Sequence, residues 1–318
     1  SITEGYKSKT NKDKNSITHL FSKYNSDFNL ENFSESSLEI SLQKVNNDTY
    51  LKIFDQESTS EKIKPQNNDL LTSEVKINLK NERYNLITGI TSYENLQKSN
   101  NDRYEFILPY YNLSGELNNG KEYGYLGFSS IGSNVLKNTN NLRSKIINDF
   151  DFRSFDIITE SGIQNNINIY LKNLIATGKN DEDYNSSIQN DLMSIIEFSS
   201  ALPLVKTNDN SLDYLEPKIS FRYNPSSMIN HSNTSRKINI NNLFDINRLG
   251  LEDTLESGTN LTLGINYKKE NLDDINKYFE FKVGTILRNE ENNNIPSSSG
   301  IVRKKTNIFG SINKNINE

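Results

Sequence analysis

The sequence predicts an all-β fold, and its strand layout suits a large antiparallel β-barrel in a membrane. Three observations carry this. Apolar and polar residues alternate in run after run, which sends successive side chains to opposite faces of a strand. Many runs reach about 9–11 residues, the span of a tilted membrane strand, whereas soluble strands average about 5–6. Connections alternate between tight and long polar ones, as at the two rims of a membrane barrel. Alternation alone also suits a soluble sandwich, so that alternative stays open on pattern. No apolar stripe at 3.6-residue spacing appears.

Taken in order, Leu38, Ile40 and Leu42 alternate with Glu39, Ser41 and Gln43. Val75, Ile77 and Leu79 alternate with Lys76, Asn78 and Lys80, and Asn81-Glu82 offers a tight turn into Tyr84–Tyr93. Ile163, Ile167, Ile169 and Leu171 form one face of a run whose other face carries Asn166, Asn168 and Lys172. Further on, Ile219, Phe221 and Tyr223 oppose Lys218, Ser220 and Arg222. Leu261, Leu263, Ile265 and Tyr267 oppose Asn260, Thr262, Gly264 and Asn266, and Phe279, Phe281 and Val283 oppose Glu280 and Lys282. A last run covers Asn307 to Ile312. Long polar connections are expected at Glu57–Asn68, Gly178–Ser187 and Asn289–Gly300. Roughly a dozen to sixteen strands result, within the range of about 8–26 for bacterial barrels.

At 318 residues and 33% apolar content the chain is poor in core-forming residues, and its mean hydropathy is −0.72. Its 16 Tyr and 15 Phe argue against disorder. Abundant Asn, Lys and Ile suit an AT-rich genome. A net charge of −5 and the absence of a basic stripe give no case for nucleic acid. The richest apolar window, Ile195–Val205, is broken by Glu197, Ser199, Ser200 and Pro203, far short of the ~18 apolar residues of a membrane helix. Membrane crossing therefore requires a closed barrel. With no cysteine there are no disulfides and no thiolate chemistry. Ser1 is not an initiator Met and no apolar leader segment follows it, so the chain reads as an internal piece of something longer.

No catalytic set emerges, and neither an enzyme nor a cofactor is expected. His19 and His231 lie far apart in polar stretches and read as solvated loop residues. Asp181-Glu182-Asp183 lacks the spaced ligands of a calcium loop and reads as a solvated hairpin tip. Asn242–Gly258 differs, because Arg248, Asp253 and Glu256 lie beside strands whose polar face looks into a lumen or solvent. On residue chemistry alone an ordinary charged surface loop is slightly preferred there, with charges pairing inside a wet lumen as the alternative.

From Leu215 to Arg288 the sequence resembles the LptD family, the lipopolysaccharide-assembly outer-membrane proteins also called organic solvent tolerance proteins. One family segment is an LEP tripeptide opening a strand that ends in Tyr-x-Pro, matched by Leu215, Glu216, Pro217, Tyr223 and Pro225. The next is matched by Asn242, Phe244, Arg248, Asp253, Glu256 and Gly258, followed by Gly264 and Tyr267 in a strand. Asn47–Asp55 is a weaker match built on Asp, Tyr and a closing Phe-Asp. Asn260 stands where many members carry Arg, and the cysteines that link barrel to periplasmic domain in some relatives are absent.

The resemblance implies that residues 1–318 are a fragment of an outer-membrane β-barrel domain, about half of its strands. The periplasmic jellyroll and the terminal strands would lie outside it. It implies a transporter that inserts lipopolysaccharide into the outer leaflet, the sugars crossing the lumen and the tails leaving by a lateral gate. Implied partners are lipopolysaccharide, an LptE-like plug lipoprotein, an LptA-like bridge protein, the barrel-assembly machinery and outer-membrane lipids. Lys218, Arg222 and Lys282 would face the lumen, and reversing Lys218 or Arg222 would disturb contacts there. The alternatives are another outer-membrane barrel, such as a porin or receptor, and a secreted Asn-rich β-structured binding or adhesion protein. The latter should show a repeat, and no fixed period is found.

Overall fold

The computed structural model describes residues 5–6, 16–53, 63–117, 123–274 and 276–315. Its first strands are β1 (Gly5–Tyr6), β2 (Ser16–Ile17), β3 (His19–Asp27) and β4 (Glu35–Val45), followed by a single turn of helix, α1 (Tyr50–Ile53). Next come β5 (Leu70–Lys80), β6 (Tyr84–Asn95), β7 (Tyr104–Glu116), β8 (Gly124–Lys137), β9 (Asn141–Ser154) and β10 (Ile157–Ile158). Then follow β11 (Gln164–Lys179), β12 (Gln189–Ala201), β13 (Leu204–Thr207) and β14 (Ser211–Asn224). The last are β15 (Gly258–Asn271), β16 (Tyr278–Arg288) and β17 (Lys305–Asn315). Among the described residues β1 pairs with β2, and the rest form one 15-stranded sheet in chain order from β3 to β17, with β10 beside β11 and β13 beside β14. Long strands thus pair with their sequence neighbours, and the sheet is an open one among the described residues.

Contacts divide the chain into two units. One is Ser1–Glu116, Ser129–Asn148 and Ile175–Asn190; the other is Leu117–Phe128, Asp149–Leu174 and Asp191–Glu318.

In the first unit the expected β5–β6 turn is set by Asn81, whose side-chain oxygen accepts the backbone N–H groups of Arg83 (2.9 Å) and Tyr84 (2.7 Å). Burial on the strands runs opposite to a soluble protein: Leu20, Leu42 and Ile90 are exposed, while Thr91 and Glu94 are buried. The unit's apolar cluster sits where β3 and β5 begin and β4 and β6 end, around Phe21, Val45, Tyr50, Leu51, Leu71 and Leu96. His19 belongs to that end. It is 3% exposed and its Nδ1 lies 2.5 Å from the Tyr50 hydroxyl, so it is not a solvated loop residue. Asp48, from the weaker family-like match, accepts Arg103 at 2.6 Å, and Arg103 also donates to Glu94 at 2.7 Å. Phe54 and Asp55, the close of that match, lie outside the described residues. The acidic tip Asp181–Asp183 is an ion-paired one: Arg143 donates twice to Asp181 (2.8 and 3.0 Å) and once to Asp183 (2.7 Å).

In the second unit β14 runs between β12–β13 and β15. Leu215, Glu216 and Pro217 lie within this strand rather than opening it, because it already begins at Ser211. Pro217 accepts the Leu202 N–H (3.1 Å) but has no N–H to return, and Leu202-Pro203 opposite is where β12 breaks from β13. Inverted burial is clearest here. Ile219, Phe221 and Tyr223 are exposed, Phe221 by 47%, while Ser220, Arg222 and Asn224 are buried, Arg222 to 1%. On β12 the exposed Ile196 and Phe198 alternate with the buried Glu197 and Ser199. The unit's own apolar cluster joins residues of the β14–β15 connection (Met228, Ile238, Leu243, Leu249, Leu251) to Ile286 of β16 and to Ile295 and Ile301 of the β16–β17 connection.

Candidate functional site: a buried charge cluster beneath the β14–β15 connection

Residues 225–257 contain no strand, yet they are not a surface loop. They lie over the polar face of the sheet. Three chemical devices seat them there. The first is a bare patch: Gly264 and Gly284 are direct partners across β15 and β16. A Cβ on Gly264 would come within 2.7 Å of the Phe244 ring, and one on Gly284 within 2.5 Å of Leu243. Only glycine lets residues 243–244 approach the sheet this closely. The second is a set of ties to the β16–β17 connection. Asn294 O accepts the His231 N–H (2.8 Å), and Asn292 and Asn294 donate to the Ser257 hydroxyl (2.8 Å) and the Met228 carbonyl (3.1 Å).

The third device is ionic. Arg248 forms a bidentate pair with Glu256, Nε to Oε2 at 2.7 Å and Nη2 to Oε1 at 2.6 Å. Its remaining donors reach Thr262 Oγ1 and Asn260 Oδ1, both at 3.0 Å, and the Leu243 carbonyl at 3.3 Å. Arg288, at the end of β16, donates to the same Glu256 carboxylate and to the Ser257 carbonyl (2.6 Å). Arg222 binds Glu197 Oε2 through Nη2 (2.7 Å) and Nε (3.2 Å), and its Nη2 also donates to the Asp245 carbonyl (2.7 Å). A further contact of 3.7 Å links Arg222 to Glu256. On β11, Lys172 pairs with Asp149 (2.8 Å) and donates to the Glu252 carbonyl (2.8 Å). Each of these cations therefore holds a carboxylate and, at the same time, a carbonyl of the covering segment.

Removing one partner from such a buried pair costs about 3–5 kcal/mol, because the charge left behind is neither solvated nor compensated. Burial by itself would raise the Glu256 carboxyl. The guanidinium of Arg248, then those of Arg288 and Arg222, outweigh this and bring its pKa down to about 2. The cluster holds three guanidiniums against two carboxylates, Glu197 and Glu256. Such an arrangement fixes the backbone of the covering segment in place.

The sequence-marked residues divide. Arg248, Glu256 and Arg222 meet in one cluster, Asn260 joins them, and Phe244 seats on Gly264. Gly258 starts β15 with a left-handed φ of 92°, beside the Arg288 guanidinium. Asn242 stays outside the cluster, its side chain accepting the Asn239 N–H at 2.8 Å. Asp253 binds His231 Nε2 at 2.9 Å, so His231 is not a solvated loop residue. Leu215, Glu216, Pro217 and Tyr223 lie on β14, opposite Tyr267, Asn266, Ile265 and Thr259 of β15. Lys218 lies over the Phe244 ring (4.9 Å), and Lys282 pairs with Glu280 on its own strand (2.9 Å). Sequence reasoning did not mark Glu197, Arg288 or Lys172 as cluster members. The signal was present: each is a single charge next to apolar residues on a long strand.

A family model described as LptD, LPS transport system D, matches residues 18–318. No curated protein matches the chain.

Proposed function

Since the chain belongs to the LptD family of outer-membrane lipopolysaccharide transport proteins, we propose that it forms a stretch of barrel wall along which the saccharide part of lipopolysaccharide passes to the outer leaflet. The observation that carries this reading is the inverted burial of the strands. Ile219, Phe221, Phe279 and Phe281 look outward, where only a hydrocarbon solvent makes their exposure favourable, and the charges look inward. In this reading Lys218, Arg222 and Lys282 face a lumen. Arg222, Arg248, Glu256 and Arg288 hold residues 225–257 against its wall, and the lipid tails leave through a lateral gate. An LptE-like plug, an LptA-like bridge protein and the barrel-assembly machinery complete the route. A barrel offers a path and no chemical step, so the protein acts as a conduit rather than an enzyme.

Site-specific photocrosslinking tests this. A photoreactive residue at Lys282 should capture lipopolysaccharide in cells, and one at Phe281, its chain neighbour on the opposite face, should capture membrane lipid instead. The same adduct pattern from both positions would end the reading.

A further inference from the structure

A polar cavity of about 620 Å³ opens between the strands and the covering segment, within the range of about 300–1,000 Å³ typical of small-ligand sites. One wall is built from β9 (through Asp151–Ser154), β11, β12 and β14, the other from the turn at residues 244–247. We propose that this cavity is a binding subsite for an anionic saccharide. The inference rests on the lipopolysaccharide-path reading above and names the part of the substrate that would dwell there.

Four features point to that ligand. Asn166, Asn168 and Ser199 line the cavity as a hydrogen-bonded set: Ser199 donates to Asn166 Oδ1 (2.6 Å), and Asn168 to Asn166 (3.2 Å) and Glu197 (3.0 Å). Amides and hydroxyls in such a chain both donate and accept, which matches sugar hydroxyls and gives nothing to an acyl tail. Phe244 supplies an apolar face against which the C–H side of a sugar ring can lie. Lys218 supplies the free charge, because the other cation lining the cavity, Arg153, lies 3.9 Å from the Asp151 carboxylate. Among the described residues its ammonium meets no carboxylate, and it rests over the Phe244 ring, so an incoming phosphate or carboxylate would be its ion partner. Finally, the walls are joined in advance. Arg222 binds Glu197 on one wall and the Asp245 carbonyl on the other, so no loop needs to be ordered when the ligand arrives.

The test is saturation-transfer NMR on the detergent-solubilised protein with three probes. These are a deacylated, phosphorylated lipopolysaccharide core oligosaccharide, the same oligosaccharide without phosphate, and inorganic phosphate. The phosphorylated oligosaccharide should bind best. Lys218→Gln should weaken it about tenfold, a charge-assisted hydrogen bond's worth, and Lys218→Arg should restore it. Because Lys218 is only half-buried and unpaired, its variants should fold, which heat-modifiable migration on a gel would show. Equal binding of both oligosaccharides, binding unchanged in folded Lys218→Gln, or inorganic phosphate binding as tightly as the sugar would each overturn the proposal. Crosslinking at Lys282 separates the two readings. If lipopolysaccharide is captured there while no oligosaccharide binds, the subsite fails and the path stands; if neither occurs, the path fails as well.

Discussion

Glu256 shows how much one side chain controls at the residue scale. It accepts from Arg248 and Arg288 and lies near Arg222, so Glu256→Gln leaves buried guanidiniums without their counter-charge. A loss of about 3–5 kcal/mol in unfolding free energy is expected, measurable by denaturant unfolding in detergent. A variant as stable as the parent would mean the cluster is solvated. Acid should produce the same effect reversibly. The folded carboxyl titrates at about 2 and the free one at 4.5, so the unfolded chain takes up protons first. The stabilisation is complete above about pH 4.5 and is lost as pH falls through about 2. In Glu256→Gln this component of the acid transition should vanish. Arg222 behaves differently from the sequence expectation. It is buried, so Arg222→Glu does more than disturb lumen contacts: it places a carboxylate beside Glu197 and Glu256 and should prevent folding. Lys282→Glu, half-exposed, should be tolerated, whereas Phe281→Arg should cost about 2–4 kcal/mol if it sits near the bilayer midplane. Equal yields of folded Lys282→Glu and Phe281→Arg would reverse the assignment of faces.

At the scale of elements, the strands were legible and the covering segment was not. Strand alternation is a local property: β4, β5, β14, β15 and β16 each show it within a few residues, and Asn81 marks its turn through its own side chain. What residues 225–257 do depends on pairs distant in sequence, such as Arg222 with Glu197 and Arg288 with Glu256, which no window of alternation contains. The resemblance marked Arg248 and Glu256 as charges that belong together. It could not assign Asp253 to His231 or bring Tyr50 onto His19, because those contacts arise when connections fold back on the strands. The seat of the segment is testable apart from its charges. Gly264→Val adds side-chain atoms where the Phe244 ring already lies 2.7 Å from a single Cβ, while the nearest ladder atom, the Val283 carbonyl oxygen, is 3.4 Å away. Overpacking of this kind costs about 1–3 kcal/mol, and it should fall on the segment rather than on the β15–β16 ladder. Limited proteolysis should then cut within residues 230–250 faster than in the parent, with strand content by circular dichroism unchanged. Unaltered cleavage would show that the glycine pair does not seat the segment.

Over the whole molecule, the same inversion recurs in both units: Ile90 is exposed beside buried Thr91 in one, Phe221 beside buried Arg222 in the other. A chain with a mean hydropathy of −0.72 can therefore be a membrane protein, because its apolar residues sit on one face of each strand while the average counts both. No helix among the described residues is long and apolar enough to cross a membrane, which leaves the strands to do so. The chain contains no Trp, so a single introduced indole reports its own surroundings without interference. Phe221→Trp, Phe281→Trp and Ile90→Trp, each reconstituted in vesicles of brominated phospholipid, should lose most of their emission to contact quenching. Lys282→Trp and Lys218→Trp should keep theirs and instead be quenched by iodide. Quenching by bromine at Ile90 but not at Phe221 would confine the lipid contact to the first unit. Quenching by iodide alone at all five positions would show that the exposed apolar face is wet, and would return the fold to the soluble sandwich that alternation by itself allows.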